Sequence, residues 1–278
     1  MGIDADSWPI ADHGAFRVAV QAWISESYST SITVREWWQR LAAAGLTVPT
    51  WARPFGGLGA TAAIQTIVEE ELASLEAVAP PRSGVGIHLV GPTLRQHASP
   101  SQFDRLRPPI LAGTDFWCLL FSEPDTPADL SALITSATAW EGVWVVAGVK
   151  STTDARLADH GLLLARTELE SVGRKGLSCF VFDMTQPGVS IKVLDDGTSI
   201  VILQHTKVTK DDLVGQEGSG WQVAQTTMAH VESSIGGRIR RGLVDVLAGT
   251  KAGNLDSSVA KALEAHVRRR PPGGDRRT

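Results

Sequence analysis

Trp117-Cys118-Leu119-Leu120-Phe121-Ser122-Glu123-Pro124-Asp125-Thr126-Pro127-Ala128-Asp129 is the stretch on which the reading of this chain turns. An apolar run rich in strand formers ends at a hydroxyl, a carboxylate and a proline, and a short polar loop follows. A strand closed in that way sets polar groups at the rim of a sheet, where small molecules are commonly held. The short period continues downstream. Ile134–Thr138, Trp144–Ala147, Leu162–Ala165, Leu177–Phe182, Val189–Val193 and Ile200–Leu203 are brief, often β-branched runs separated by turn residues such as Asp195-Asp196-Gly197. Strands at this spacing, without helices between them, predict an antiparallel barrel or sandwich.

On either side the spacing is helical. Ala15 to Ile24 is one such segment. Val34, Trp37, Trp38 and Leu41 form another apolar face, with Gly45 in the position of a C-terminal cap. Ile64, Ile67, Val68, Leu72 and Leu75 make a third stripe, with Glu69, Glu70 and Glu71 read as its wet face. A fourth helix is predicted from Ser99, where Pro100 suits the first helical position and Gln102 is placed to complete a capping box. After Gly220, apolar residues recur at helical spacing from Trp221 to Leu247, and a further helix is predicted over 257–270. Pro271 to Thr278 reads as a loose tail. The expected class is therefore α+β multidomain: a helical domain over 1–114, a middle antiparallel β-barrel over 115–216, and a partial helical bundle over 217–278.

The 278 residues, 43% hydrophobic, suffice for a core in two or more domains. A net charge of −4 gives no reason to expect nucleic acid or a membrane surface as partner. The N-terminal residues lack a basic start followed by an apolar stretch, and nothing approaches the roughly 18 apolar residues of a membrane span. A cytoplasmic location is expected. Cys118 and Cys179 lie in apolar strand-like runs and read as buried free thiols. The histidines show no metal-ligand spacing, and no metal is expected.

The opening stretch, together with Gly142 to Lys150 and Ala158-Asp159-His160-Gly161-Leu162-Leu163-Leu164-Ala165-Arg166-Thr167, resembles the middle domain of the acyl-CoA dehydrogenases. Further blocks resemble the family in the same order. They are Pro54-Phe55-Gly56-Gly57-Leu58-Gly59 with Ile67 to Leu72, then Gly91-Pro92-Thr93-Leu94 with Leu106 to Gly113, then Leu213 to Trp221. The resemblance implies a flavoprotein acting on acyl-CoA thioesters in fatty-acid or sterol side-chain breakdown. In such enzymes a carboxylate removes the α proton while the β hydrogen leaves as hydride to FAD, in a site that polarises the carbonyl and excludes water. It also implies an electron-transfer flavoprotein as electron acceptor and an oligomer with like or related subunits.

By the same resemblance, Leu119, Phe121, Ser122 and Thr153 would contact FAD, and Ala128 and Asp129 would lie against substrate. A hydroxyl such as that of Ser122 can donate to a flavin oxygen or accept from a ring N–H; its other reading is a strand-end cap. The chain also departs from the family. The usual Gly-Ala-Gly-Ser-Asp loop is here Asp125-Thr126-Pro127-Ala128-Asp129, so both glycines are gone and the substrate-facing serine is Ala128. Asp129 is kept, as a ligand or as a cap. After Gly148-Val149-Lys150 the family's tryptophan beside the ring is missing from Ser151-Thr152-Thr153-Asp154. That removes an apolar contact on the order of 1–3 kcal/mol, so a weakened flavin site is expected. Glu232 stands where the family has arginine and is the remaining candidate base, whereas His230 reads as a surface or interface histidine. Distal helices that carry the family's usual catalytic glutamate do not follow Arg270. The expectation is a C-terminally shortened, site-degenerate member: an enzyme that keeps FAD, or a non-catalytic subunit that binds a full-length relative.

Overall fold

The computed structural model describes residues 7–78, 84–126, 129–153 and 155–233, without the side chains of 231–233. Ala128, the helical run beyond Ser233, the helix over 257–270 and the tail lie outside the described residues. The described chain falls into two compact units. One takes in residues 7–78 with 111–114, the other 84–110 with 115–233.

The first unit contains α1 (His13–Ser27), α2 (Val34–Ala43) and α3 (Ala62–Ser74). Asp12 opens α1 by accepting the N–H groups of Gly14 and Ala15, and Thr33 opens α2 by accepting that of Glu36. Each side chain satisfies donors that a helix start leaves free. Gly45 follows α2 at φ 73°, a backbone that its lack of a Cβ permits. The core is aromatic: Trp23 stacks on Trp37 at 5.5 Å, and Trp37 meets Tyr28 at 4.9 Å. The wet-face reading fails at Glu71, which is buried. Its carboxylate bonds Arg17 and accepts Gln21 Nε2 at 2.7 Å, both from α1. Helical periodicity in α3 carries no trace of that distant partner.

In the second unit the helix expected from Ser99 is α5, which begins at Pro100 and runs to Leu111 once the short α4 (Gly91–His97) has ended. Ser99 Oγ accepts the Gln102 N–H at 3.2 Å, but the box is not closed: Gln102 Nε2 donates to the Asp211 carbonyl at 2.9 Å and its Oε1 accepts no hydrogen bond. A π turn over Gly86–Val90 leads into α4, with the Gly91 N–H reaching Gly86 O. Pro92 explains it: a proline has no N–H and crowds the carbonyl four residues back, so the ladder widens just ahead of it. α6 (Gly220–Ser233) packs on α4 through Thr93–Thr227 at 3.1 Å and His97 Nε2–Thr226 Oγ1 at 2.7 Å.

The strands are β1 (Trp117–Leu120), β2 (Ser136–Trp140), β3 (Val143–Thr152), β4 (His160–Arg166), β5 (Leu177–Asp183), β6 (Val189–Val193), β7 (Ser199–Val208) and β8 (Leu213–Val214). They form one sheet in the order β6-β7-β3-β2-β4-β5-β8, with β1 also on β4. The barrel expectation is corrected here. The sheet is open, because β6 and the two-residue β8 end the path without pairing with each other among the described residues. Nor is it wholly antiparallel: β1 runs parallel to β4 from Trp117↔His160 to Leu120↔Leu163, and β2 meets β4 parallel at Ser136↔Arg166. Since β5 occupies the other edge of β4 from His160 to Arg166, β1 and β2 lie one after the other in a single lane. A strand that resumes its direction beside the same neighbour must leave the lane and return, and the described residues 121–126 and 129–135 belong to that excursion. Cys118 and Cys179 are buried thiols outside any disulfide, as expected.

Candidate functional site

The break in the lane is where the chemistry gathers. Beyond β1 the Ser122 carbonyl accepts the Ser151 N–H at 2.9 Å, which ties the lane to β3. The next residue, Glu123, is buried, and its carboxylate stands in for the missing strand. Oε2 accepts the Ile134 N–H at 2.9 Å, while Oε1 accepts the Thr135 N–H at 2.8 Å and Lys150 Nζ at 3.1 Å. Lys150 has no exposed surface and also donates to the Phe121 carbonyl at 3.2 Å. Burial pushes the Lys150 ammonium down to about 8, against the attraction of Glu123, so it remains mostly protonated at neutral pH. For Glu123, burial pulls upward but is outweighed by the Lys150 charge and the Ile134 and Thr135 N–H groups, which hold the carboxyl below its usual range.

Two other features shape the break. Arg166, at the end of β4, donates to five backbone carbonyls at 2.8–3.4 Å: Ser131, Leu133, Ser171, Gly173 and Lys175. It thereby fastens the excursion to the turn before β5. At Gly148 a Cβ would lie 2.4 Å from Thr135 Oγ1, so only glycine lets the returning chain pass β3 so closely.

Of the residues singled out in sequence, Leu119 is half-buried in β1 and Ser122 is half-buried just past it. The Phe121 side chain is buried and its carbonyl is engaged by Lys150. Thr153 is exposed one residue beyond β3. Ser122, Ser151, Thr152 and Thr153 are thus partly or fully exposed residues at the ends of two strands that the Ser151–Ser122 hydrogen bond joins, with Ser151 and Thr152 alternating in face. Asp129 is occupied as a cap: its Oδ1 accepts the Ser131 N–H at 2.9 Å and the Ser131 hydroxyl at 2.6 Å, opening the short helix Leu130–Ala132. Those Ser131 bonds lower its pKa. Glu232 belongs to the last turn of α6, and its side chain lies outside the description. The sequence reading passed over Glu123, Lys150 and Arg166 as working residues. The available signal was a lysine and an arginine inside apolar strand runs, where an isolated charge is costly.

Residues 13–114 match the family model of the acyl-CoA dehydrogenase N-terminal domain, and residues 118–213 match that of the middle domain. The chain belongs to the acyl-CoA dehydrogenase family. It is 35% identical to acyl-CoA dehydrogenase FadE34 of Mycobacterium tuberculosis, over 80% of this chain and 30% of that protein. It is 33% identical to acyl-CoA dehydrogenase IpdE1 of the same organism, over 77% of this chain and 61% of that protein. The chain therefore spans less than two thirds of either relative. Among solved structures, the ChsE4-ChsE5 complex from Mycobacterium tuberculosis superposes with a TM-score of 0.59 at 25% identity, covering 78% of this chain and 59% of that one.

Hydroxyls such as those of Ser122 and Thr153 can both donate to and accept from the ring heteroatoms of a group such as FAD. No aromatic wall stands beside it in residues 150–153. Among the described residues no helix is long and apolar enough to cross a membrane.

Proposed function

We propose that the chain acts in FAD-dependent α,β-desaturation of an acyl-CoA thioester, in fatty-acid or sterol side-chain breakdown in the cytoplasm. The observation behind this reading is the Ser122–Ser151 edge, backed by the buried Lys150–Glu123 pair. Ser122 and Thr153 would bond the ring edge, the Phe121 backbone would hold the strand beside it, and Leu119 would supply apolar contact. FAD, when bound, supplies the hydride acceptor. The segment Ala128–Asp129 would border the thioester, and Glu232 is the candidate to take the α proton. Electrons would pass on to an electron-transfer flavoprotein. The same reading treats 1–114, 115–216 and 217–278 as three domains. Purified protein should carry flavin absorbance near the visible maximum that bleaches on anaerobic addition of acyl-CoA. A flavin band that stays unchanged with short, long and sterol-derived thioesters would defeat the desaturase reading.

A second reading, a non-catalytic subunit docked on another acyl-CoA dehydrogenase, draws support from two sources. One similar structure is a complex of two differently named chains, and the 125–129 loop lacks the family's glycines. Colourless protein that gains flavin only when co-purified with a full-length relative would favour it.

A further inference from the structure

We propose that Lys150 is a positioning residue for the flavin edge, acting through the Phe121–Ser122 peptide. The inference rests on the FAD reading above and deepens it. Ser122 is held from both directions: its own carbonyl accepts the Ser151 N–H at 2.9 Å, and the carbonyl before it accepts Lys150 Nζ at 3.2 Å. The residue after it, Glu123, is fixed by Lys150 and by two backbone N–H groups of the returning chain. The peptide plane that presents the Ser122 N–H and hydroxyl therefore has little freedom to turn.

A charge at this place does something that packing alone would not. A buried ion pair adds little net stability over apolar residues of similar volume, because both ions lose their water. A cation on a peptide carbonyl, however, polarises the whole amide and makes its N–H a stronger donor, the more so with no water nearby. The amide so polarised is that of Ser122, at the half-exposed end of the strand. Arg166, the other buried cation, bonds carbonyls of the 131–133 and 171–175 segments and leaves this peptide alone.

The test compares apo wild type, E123Q, the K150M/E123Q pair, S122A, and S122A added to that pair. Each is titrated with FAD by fluorescence quenching and checked by circular dichroism and thermal melting. K150M/E123Q should bind FAD about tenfold more weakly, the size of one charge-assisted hydrogen bond, and should shift the bound flavin's visible maximum. E123Q keeps the lysine on the Phe121 carbonyl but removes the carboxylate that helps it hold its proton, so its affinity should fall from within about threefold of wild type toward that of the pair as pH rises. S122A removes the hydroxyl but keeps the N–H that Lys150 polarises, so its cost should be about the same on the K150M/E123Q background as alone. A K150M/E123Q protein with wild-type affinity and spectrum would overturn the positioning role and leave the FAD reading standing. Should that pair fail to fold, E123Q decides: a tenfold loss that does not change with pH would assign the effect to the loop and overturn the role of Lys150. Wild type that takes up no FAD would sink the cofactor reading and this inference with it.

Discussion

Residues 7–78 line most of their interior with indole rings and bury one carboxylate, Glu71, whereas the β unit keeps a lysine, a glutamate and an arginine out of water. In the helical unit the buried polar groups are mostly indole N–H donors bonded to carbonyls, as Trp8 to Ala44 at 3.0 Å and Trp37 to Val78 at 2.8 Å. Apolar packing of that kind is stabilising in proportion to area and tolerates variation in shape. Around the β1–β2 break, burial depends on direction and distance: each of the Glu123 and Lys150 bonds must be made, or a charge is stranded. The difference teaches where this protein needs a single conformation. Cores that only have to cohere can be greasy; an interrupted strand is held by charges where no neighbouring strand pairs it.

The contrast can be broken most decisively at Lys150. Lys150→Met alone leaves the Glu123 carboxylate buried without its cation and should cost about 3–5 kcal/mol in urea denaturation. The same change combined with Glu123→Gln should cost less than the single one; a pair that is additive would erase the claimed dependence on charge. Trp37→Phe keeps most of the apolar contact in the helical core while removing one N–H bond, so about 1–2 kcal/mol is expected from the same measurement. A loss as large as that of Lys150→Met would show that the helical core is no more forgiving. Thr33→Ala removes the side-chain cap of α2 and should lower stability by about 1 kcal/mol.

The smallest effect concerns the α4–α6 contact of the β unit. Burial lowers the pKa of His97, and burial with the nearby Arg95 charge lowers that of His230. A histidine with a depressed folded pKa contributes stability that is complete above its usual value near 6.5. That stability is lost as pH falls through the folded value. The melting temperature should therefore drop between pH 7.5 and pH 5, and the drop should shrink in His97→Gln. An unchanged drop would remove His97 from the account.

Much of the fold could be read from local pattern. The apolar run that stops at Ser122, the helical stripes of α1 to α3 and the glycine after α2 all depend on residues within a few positions of one another, and all are present. What local pattern missed has two causes. The wet-face reading of Glu71 fails because its partners lie in α1, and the π turn before α4 arises because Pro92 alters a ladder that periodicity assumes to be regular. At the site, the end of β1 at Ser122 was legible from its motif, whereas Asp129 read as a ligand or a cap, and only the structure shows its Oδ1 bonded to Ser131.

The order helix, strand, helix, the family membership carried by its motifs, and the hydroxyl at the tip of β1 are written in neighbouring residues, since propensity and periodicity act over short range. Only the folded chain decided that β1 and β2 share one lane on β4, that the sheet stays open, and that Glu123 and Lys150 meet in the gap. Those outcomes depend on pairing between segments far apart in sequence. There the need to satisfy every buried charge and backbone donor selects one arrangement among many that local preference allows equally.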